Sequence, residues 1–159
     1  MKNKTSKRLI GGAVLLLAAV FGSLAYSHCQ IPCGIYDDEA RLAAIAEHIT
    51  TIEKAMKEIE SLSAQPKPNM NQIVRWVNNK DQHADELSEI VTYYFMAQRI
   101  KVASESDTKA YGDYVRKLTL LHQMVVRSMQ AKQTTDLAHV QELRSLLEQF
   151  RTAYSGKAG

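Results

Sequence analysis

The nine residues His28-Cys29-Gln30-Ile31-Pro32-Cys33-Gly34-Ile35-Tyr36 bring an imidazole, two thiols and a turn-forming proline into one short stretch. If His28 is the first residue of a mature chain, its free amine joins the set. The donors are then that amine, the backbone nitrogen and thiolate of Cys29, the thiolate of Cys33 and the His28 imidazole, all from one chain end. A square of nitrogen and sulfur donors suits nickel(II) or copper(II). Pro32 restricts the turn and has no N–H of its own. Cysteines four apart also suit a small disulfide loop in an exported protein. The spacing leaves both open, and the position of His28 weighs toward metal.

That position follows from the preceding segment. Lys2, Lys4, Lys7 and Arg8 form a positive n-region, and Leu9 to Phe21 form an apolar h-region, the composition of an export signal. Ala25 and Ser27 supply the small residues of an A-x-A-like site, so cleavage is expected between Ser27 and His28. The apolar run is interrupted by Gly11, Gly12 and Gly22 and is marginal against the ~20 residues of a spanning helix. A membrane role is therefore expected only through an uncleaved leader. The expected organisation is a leader over 1–27, a metal-binding hook over 28–36 and a helical domain over 37–159. An exported protein, periplasmic or at the cell surface, follows.

Removing the leader changes the charge. The whole chain carries 20 Lys and Arg against 17 Asp and Glu; without the leader's four positive residues, 16 face 17, a formal charge near −1. The basic pI belongs to the precursor, and nucleic-acid binding, which wants a basic stripe on the folded domain, is excluded. The remaining chain is one domain's worth and long enough to bury a core without disulfide staples.

The elements that must carry the hook read as helices throughout, with no alternating strand-like run. The first opens at Asp37 or Asp38 and repeats apolar residues at Leu42, Ile45, Ile49, Ile52, Met56, Ile59 and Leu62. A loop with Pro66 and Pro68 follows. The second runs from near Asn71 to near Lys101 with Ile73, Trp76, Val77, Ala84, Leu87, Ile90, Val91, Tyr94 and Ala97. Ser104 to Asp107 restart the chain for a third, lined by Tyr111, Tyr114, Val115, Leu118, Leu121, Met124, Val125 and Met129. Thr134, Thr135 and Asp136 cap a fourth, with Leu137, Val140, Leu143, Leu147, Phe150 and Tyr154. Short connections between four amphipathic helices predict an all-α, antiparallel four-helix bundle. Trp76, Phe95 and Met96 are candidates for subunit contacts or, equally, for packing within the subunit.

With the hook and the bundle together, the sequence resembles nickel superoxide dismutase. The signature HCxxPCGxY at a mature N-terminus is matched by His28, Cys29, Pro32, Cys33, Gly34 and Tyr36. The resemblance implies one nickel ion per subunit, held by His28 through its amine and imidazole, by Cys29 through its amide nitrogen and thiolate, and by Cys33 through its thiolate. It implies conversion of superoxide to hydrogen peroxide and dioxygen, a homohexamer, and a maturation protease that exposes the histidine. Tyr36 and Tyr94, the latter similar to the family's second-helix tyrosine, are then the candidates for a proton relay or anion gate. Gln30 stands where the family often has aspartate. Ala43 and Ala44 fill the stretch where a glutamate is expected to support the imidazole, and His83 or Arg75 takes the place of an arginine. His83 is open to two readings, a metal ligand or, the one favoured, a polar residue satisfied within the bundle, and His48, His122 and His139 read as surface or core residues. Two rivals remain at this stage: an exported copper- or nickel-binding carrier without turnover, and a structural helical protein with a Cys29–Cys33 disulfide.

Overall fold

The computed structural model describes residues 37–156. Among them four helices follow in order: α1 (Asp38–Ser63), α2 (Met70–Glu89), α3 (Thr108–Gln133) and α4 (Ala138–Ser155). From Glu89 the second helix continues as a π-helical segment, Ile90–Arg99. No strand occurs among the described residues.

Short polar side chains start each helix. Asp37 accepts from the Glu39 N–H at 2.7 Å, Asn69 from Gln72 at 3.3 Å, Asp107 from Ala110 at 3.0 Å and Asp136 from Ala138 at 2.9 Å. Each takes up a backbone donor that has no partner inside the helix. Of the two residues expected to open α1, Asp37 is the cap. At the other end of the chain Gly156, at φ +66°, closes α4 in the left-handed conformation that glycine adopts without steric cost.

The apolar stripe of α1 is buried from Leu42 to Ile59 as its spacing predicts. Pairs along the helices fix their directions. Asp38, His48 and Lys54 of α1 meet Tyr94, His83 and Trp76, so the second helix runs antiparallel to the first. Lys80 and Ser88 meet Ala131 and Ser128, and Asp38 and Glu53 meet Tyr154 and Arg144. Contacts join α1 to α2, α2 to α3, α3 to α4 and α4 back to α1, a closed ring around one apolar core. Among the described residues, no helix is long and apolar enough to cross a membrane.

Two expectations need correction, the burial of Ala97 and the lining of α3. The second helix ends at Arg99, near Lys101 as expected, but Ala97 is exposed because its last ten residues leave the α-helical phase. On α3 the buried residues are Leu120, Leu121, Met124, Ser128 and Ala131, while Val115 and Met129 face outward. The reason is a small-residue seam. Ser128 Oγ donates to the Ala84 carbonyl at 2.6 Å, so two small residues and a satisfied hydroxyl let the backbones approach, which a search for large apolar residues misses. Of the two readings of Phe95, packing within the subunit is the one that holds, since it is fully buried in the core.

Lys80 is the one charged residue among the described residues that is buried in this core. Its ammonium donates to the carbonyls of Ala131, at 2.8 Å, and Lys132, at the C-terminal end of α3. Those carbonyls lack partners inside their helix and carry the negative end of its dipole, which stabilises the charge where burial opposes it. Burial still draws the Lys80 pKa below its ordinary value.

Candidate functional site

His28, Cys29, Cys33 and Tyr36 lie outside the described residues; Tyr94 lies within them and is buried. Its hydroxyl donates to Asp38 Oδ1 at 2.5 Å and accepts from Arg99 Nη2 at 2.8 Å. Arg99 Nε also reaches Asp38 Oδ1 at 2.8 Å. From α4, Tyr154 donates to Asp38 Oδ2 at 2.7 Å. One carboxylate thus takes two phenols and a guanidinium. It belongs to the second residue after Tyr36 in the sequence. The Arg99 and Arg41 guanidinium carbons lie 4.9 and 5.6 Å from the Tyr94 ring centroid, within the range of cation–π attraction.

The π-helical segment is what allows this arrangement. At 3.6 residues per turn, residues five apart point about 140° away from each other. A turn closed from i to i+5, as in the bond from the Ile100 N–H to the Phe95 carbonyl at 3.0 Å, brings such residues onto one face. Tyr94 and Arg99 are five apart. A continuous α-helix would carry the guanidinium away from the phenol.

The charges around Asp38 oppose one another. Burial pushes its pKa up, but the hydrogen bonds from Tyr94 and Tyr154 and the Arg99 guanidinium outweigh this and hold it below the ordinary 3.8. Burial and then Asp38 raise both Tyr94 and Tyr154 above the ordinary phenol value, Arg99 opposing. Both phenols stay neutral at physiological pH. Because the folded carboxylate holds its proton less tightly than the unfolded one, the stability it contributes is complete above about pH 5 and is lost as pH falls through its folded value, below 3.8. Urea unfolding of the parent and of Asp38→Asn across pH should show this. The parent is expected to be more stable at neutral pH, with the gap closing as pH drops below 3.8; a gap that is flat with pH would contradict the arrangement.

His83 is satisfied within the bundle as expected, and its partner is His48. His48 and His83 are not independent: their Nδ1 atoms are 2.8 Å apart, and Glu86 Oε2 lies 3.5 Å from the first and 3.6 Å from the second. Burial, with His83 adding to it, holds His48 below its ordinary pKa. Arg75 instead lines a surface groove on α2 with Trp76 and Gln82. His122 is exposed in a groove with Arg127 and Glu142, and His139 is half-buried; neither joins a metal-type cluster among the described residues. Asp38, Arg99 and Tyr154 were missed by sequence reasoning. Asp38 reads as a second capping carboxylate, Tyr154 as part of an apolar stripe, and Arg99 only makes sense once the i to i+5 turn is known.

The chain holds two cysteines, Cys29 and Cys33. Any thiolate-ligated metal must therefore use the hook, and the His48–His83–Glu86 group offers only nitrogen and oxygen donors. A family model described as nickel-containing superoxide dismutase matches residues 23–157, a span that includes the hook and all four helices. No curated protein and no solved structure matches.

Proposed function

This chain belongs to the nickel-containing superoxide dismutase family, and on that premise we propose that His28, Cys29 and Cys33 are the residues that hold its nickel. The protein is a nickel-dependent superoxide dismutase, an oxidoreductase with one nickel per subunit. The observation that carries the ligand assignment is chemical. Two thiolates with an amine and an amide nitrogen donate enough charge to make a higher nickel oxidation state reachable, and this chain has thiols at Cys29 and Cys33 alone.

Bound nickel supplies one-electron redox chemistry, so that two superoxide ions and two protons become one dioxygen and one hydrogen peroxide. Residues of the helical domain supply positive charge and phenols for this chemistry. Arg41 and Arg99 put two guanidinium groups beside the Tyr94 ring, a positive element of the kind that draws an anionic substrate inward. Tyr94 keeps its proton, because its hydroxyl donates to Asp38 and its pKa is raised; its role is to orient and gate, while Tyr36 serves as the second phenol of the site. Asp38 ties Tyr94 to α1, the helix that directly follows the hook.

The leader over 1–27 is cleaved by a maturation protease to expose His28, and the enzyme acts outside the cytoplasm, in the periplasm or at the cell surface; the basic n-region, apolar h-region and Ala25–Ser27 site support this. The homohexamer is what the family resemblance implies, and the exposed apolar residues Met70, Val74, Tyr93, Val102, Val115 and Met129 are side chains that subunit contacts would cover. The test is metal analysis and superoxide turnover of the purified chain beginning at His28. Stoichiometric nickel with rapid turnover is the expected result. Copper without turnover, or a metal-free Cys29–Cys33 disulfide, would overturn the ligand assignment.

A further inference from the structure

We propose that His48, His83 and Glu86 form a second metal site, apart from the hook, for a borderline divalent cation of the zinc type. The three donor atoms make a triangle with sides of 2.8, 3.5 and 3.6 Å. The point equidistant from its corners is about 1.9 Å from each, just inside the 2.0–2.2 Å that zinc takes to imidazole nitrogen and carboxylate oxygen, so a small displacement from the plane gives all three bonds at once.

The scaffold holds this triangle in place. His83 and Glu86 are three residues apart on α2 and therefore share a face, and His48 comes from the antiparallel α1 opposite. Gln82 Nε2 donates to Glu86 Oε1 at 2.8 Å, which fixes the carboxylate with its other oxygen turned to the imidazoles. An outer hydrogen bond of this kind is the usual support of a metal ligand. Both imidazoles are largely sheltered, whereas the Glu86 side chain is 38% exposed, leaving a way in for an ion and a position for water. Two imidazoles and a carboxylate are the donor set of zinc sites with an open position. Lacking thiolate, the set does not suit the redox chemistry of the hook. Ten residues along α1 from Asp38, it is also about 15 Å of helix away from the Tyr94 cluster.

A direct hydrogen bond between two neutral imidazoles accounts for the 2.8 Å contact without any ion, so the experiment must separate the two. The chain beginning at His28 with both Cys29→Ser and Cys33→Ser removes the thiolates, and zinc affinity is read by competition with a chromophoric chelator. One zinc per chain is expected. Glu86→Gln and His83→Gln, each added to that background, should weaken zinc by at least about tenfold, and Gln82→Ala by about tenfold, with helix content by circular dichroism unchanged. Cobalt(II) should give the visible bands of a nitrogen–oxygen site, lost in Glu86→Gln. Absence of zinc binding by the cysteine-free chain, or equal affinity in Glu86→Gln and His83→Gln, would overturn the proposal. Neither outcome bears on the nickel assignment, which rests on the thiols removed here.

Discussion

A chain that keeps Ser27 ahead of His28 is expected to lose dismutase activity to the level of the buffer blank. The two forms differ by one residue, and that residue changes the chemistry of one atom. In the chain beginning at His28 the nitrogen is an amine with an ordinary pKa of about 8, so a metal can claim its lone pair near neutral pH. With Ser27 attached it is an amide, whose lone pair is delocalised into the carbonyl. The thiolates of Cys29 and Cys33 are untouched, so nickel is still expected to bind, but with a poorer donor set and no redox turnover. Nickel content and superoxide loss measured side by side separate these effects. Full activity with Ser27 retained would remove the amine from the ligand set, and no nickel in either form would remove the hook.

Phe95→Ala is expected to destabilise the folded protein by about 3–5 kcal/mol, the range for deleting a fully buried aromatic ring. Phe95 has no exposed surface, and its ring meets Tyr94, Phe150 and Tyr154 edge to face at centroid distances of 5.1, 5.1 and 5.7 Å. Such pairs add to the burial of area. The loss should appear in urea unfolding and should be the same at every protein concentration, since the ring is covered by its own chain. A loss that shrinks on dilution would return Phe95 to a subunit contact. Tyr93→Ala is the contrast: that side chain is 55% exposed, and within the isolated subunit the change should cost little.

The candidate ligand residues and the helices were legible because both are local. His28, Cys29 and Cys33 announce themselves by residue type and spacing, and the apolar repeat of α1 from Leu42 to Ile59 needs only a period of 3.6. The pairing of His48 with His83 was within reach: with the turn centred near Pro66, antiparallel helices bring together residues equally far from it. What sequence could not supply were the departures from regular geometry. Arg99 meets Tyr94 through the i to i+5 turn, and α2 meets α3 through Ala84, Ser128 and Ala131, residues too small to register as a stripe. Asp38 looked like a cap because its partners lie 56 and 116 residues away.

That last separation bears on how the protein is made. A ribosome produces Asp38 long before Tyr154, which lies 116 residues further on, yet Tyr154 is one of the two phenols that Asp38 accepts. A chain cut short before α4 would carry Asp38, Tyr94 and Arg99 and still lack one of the three groups that secure the carboxylate. Asp38 therefore finds its full set of partners only once α4 has been made, and a product that stops short of α4 leaves its first helix less secured at Asp38.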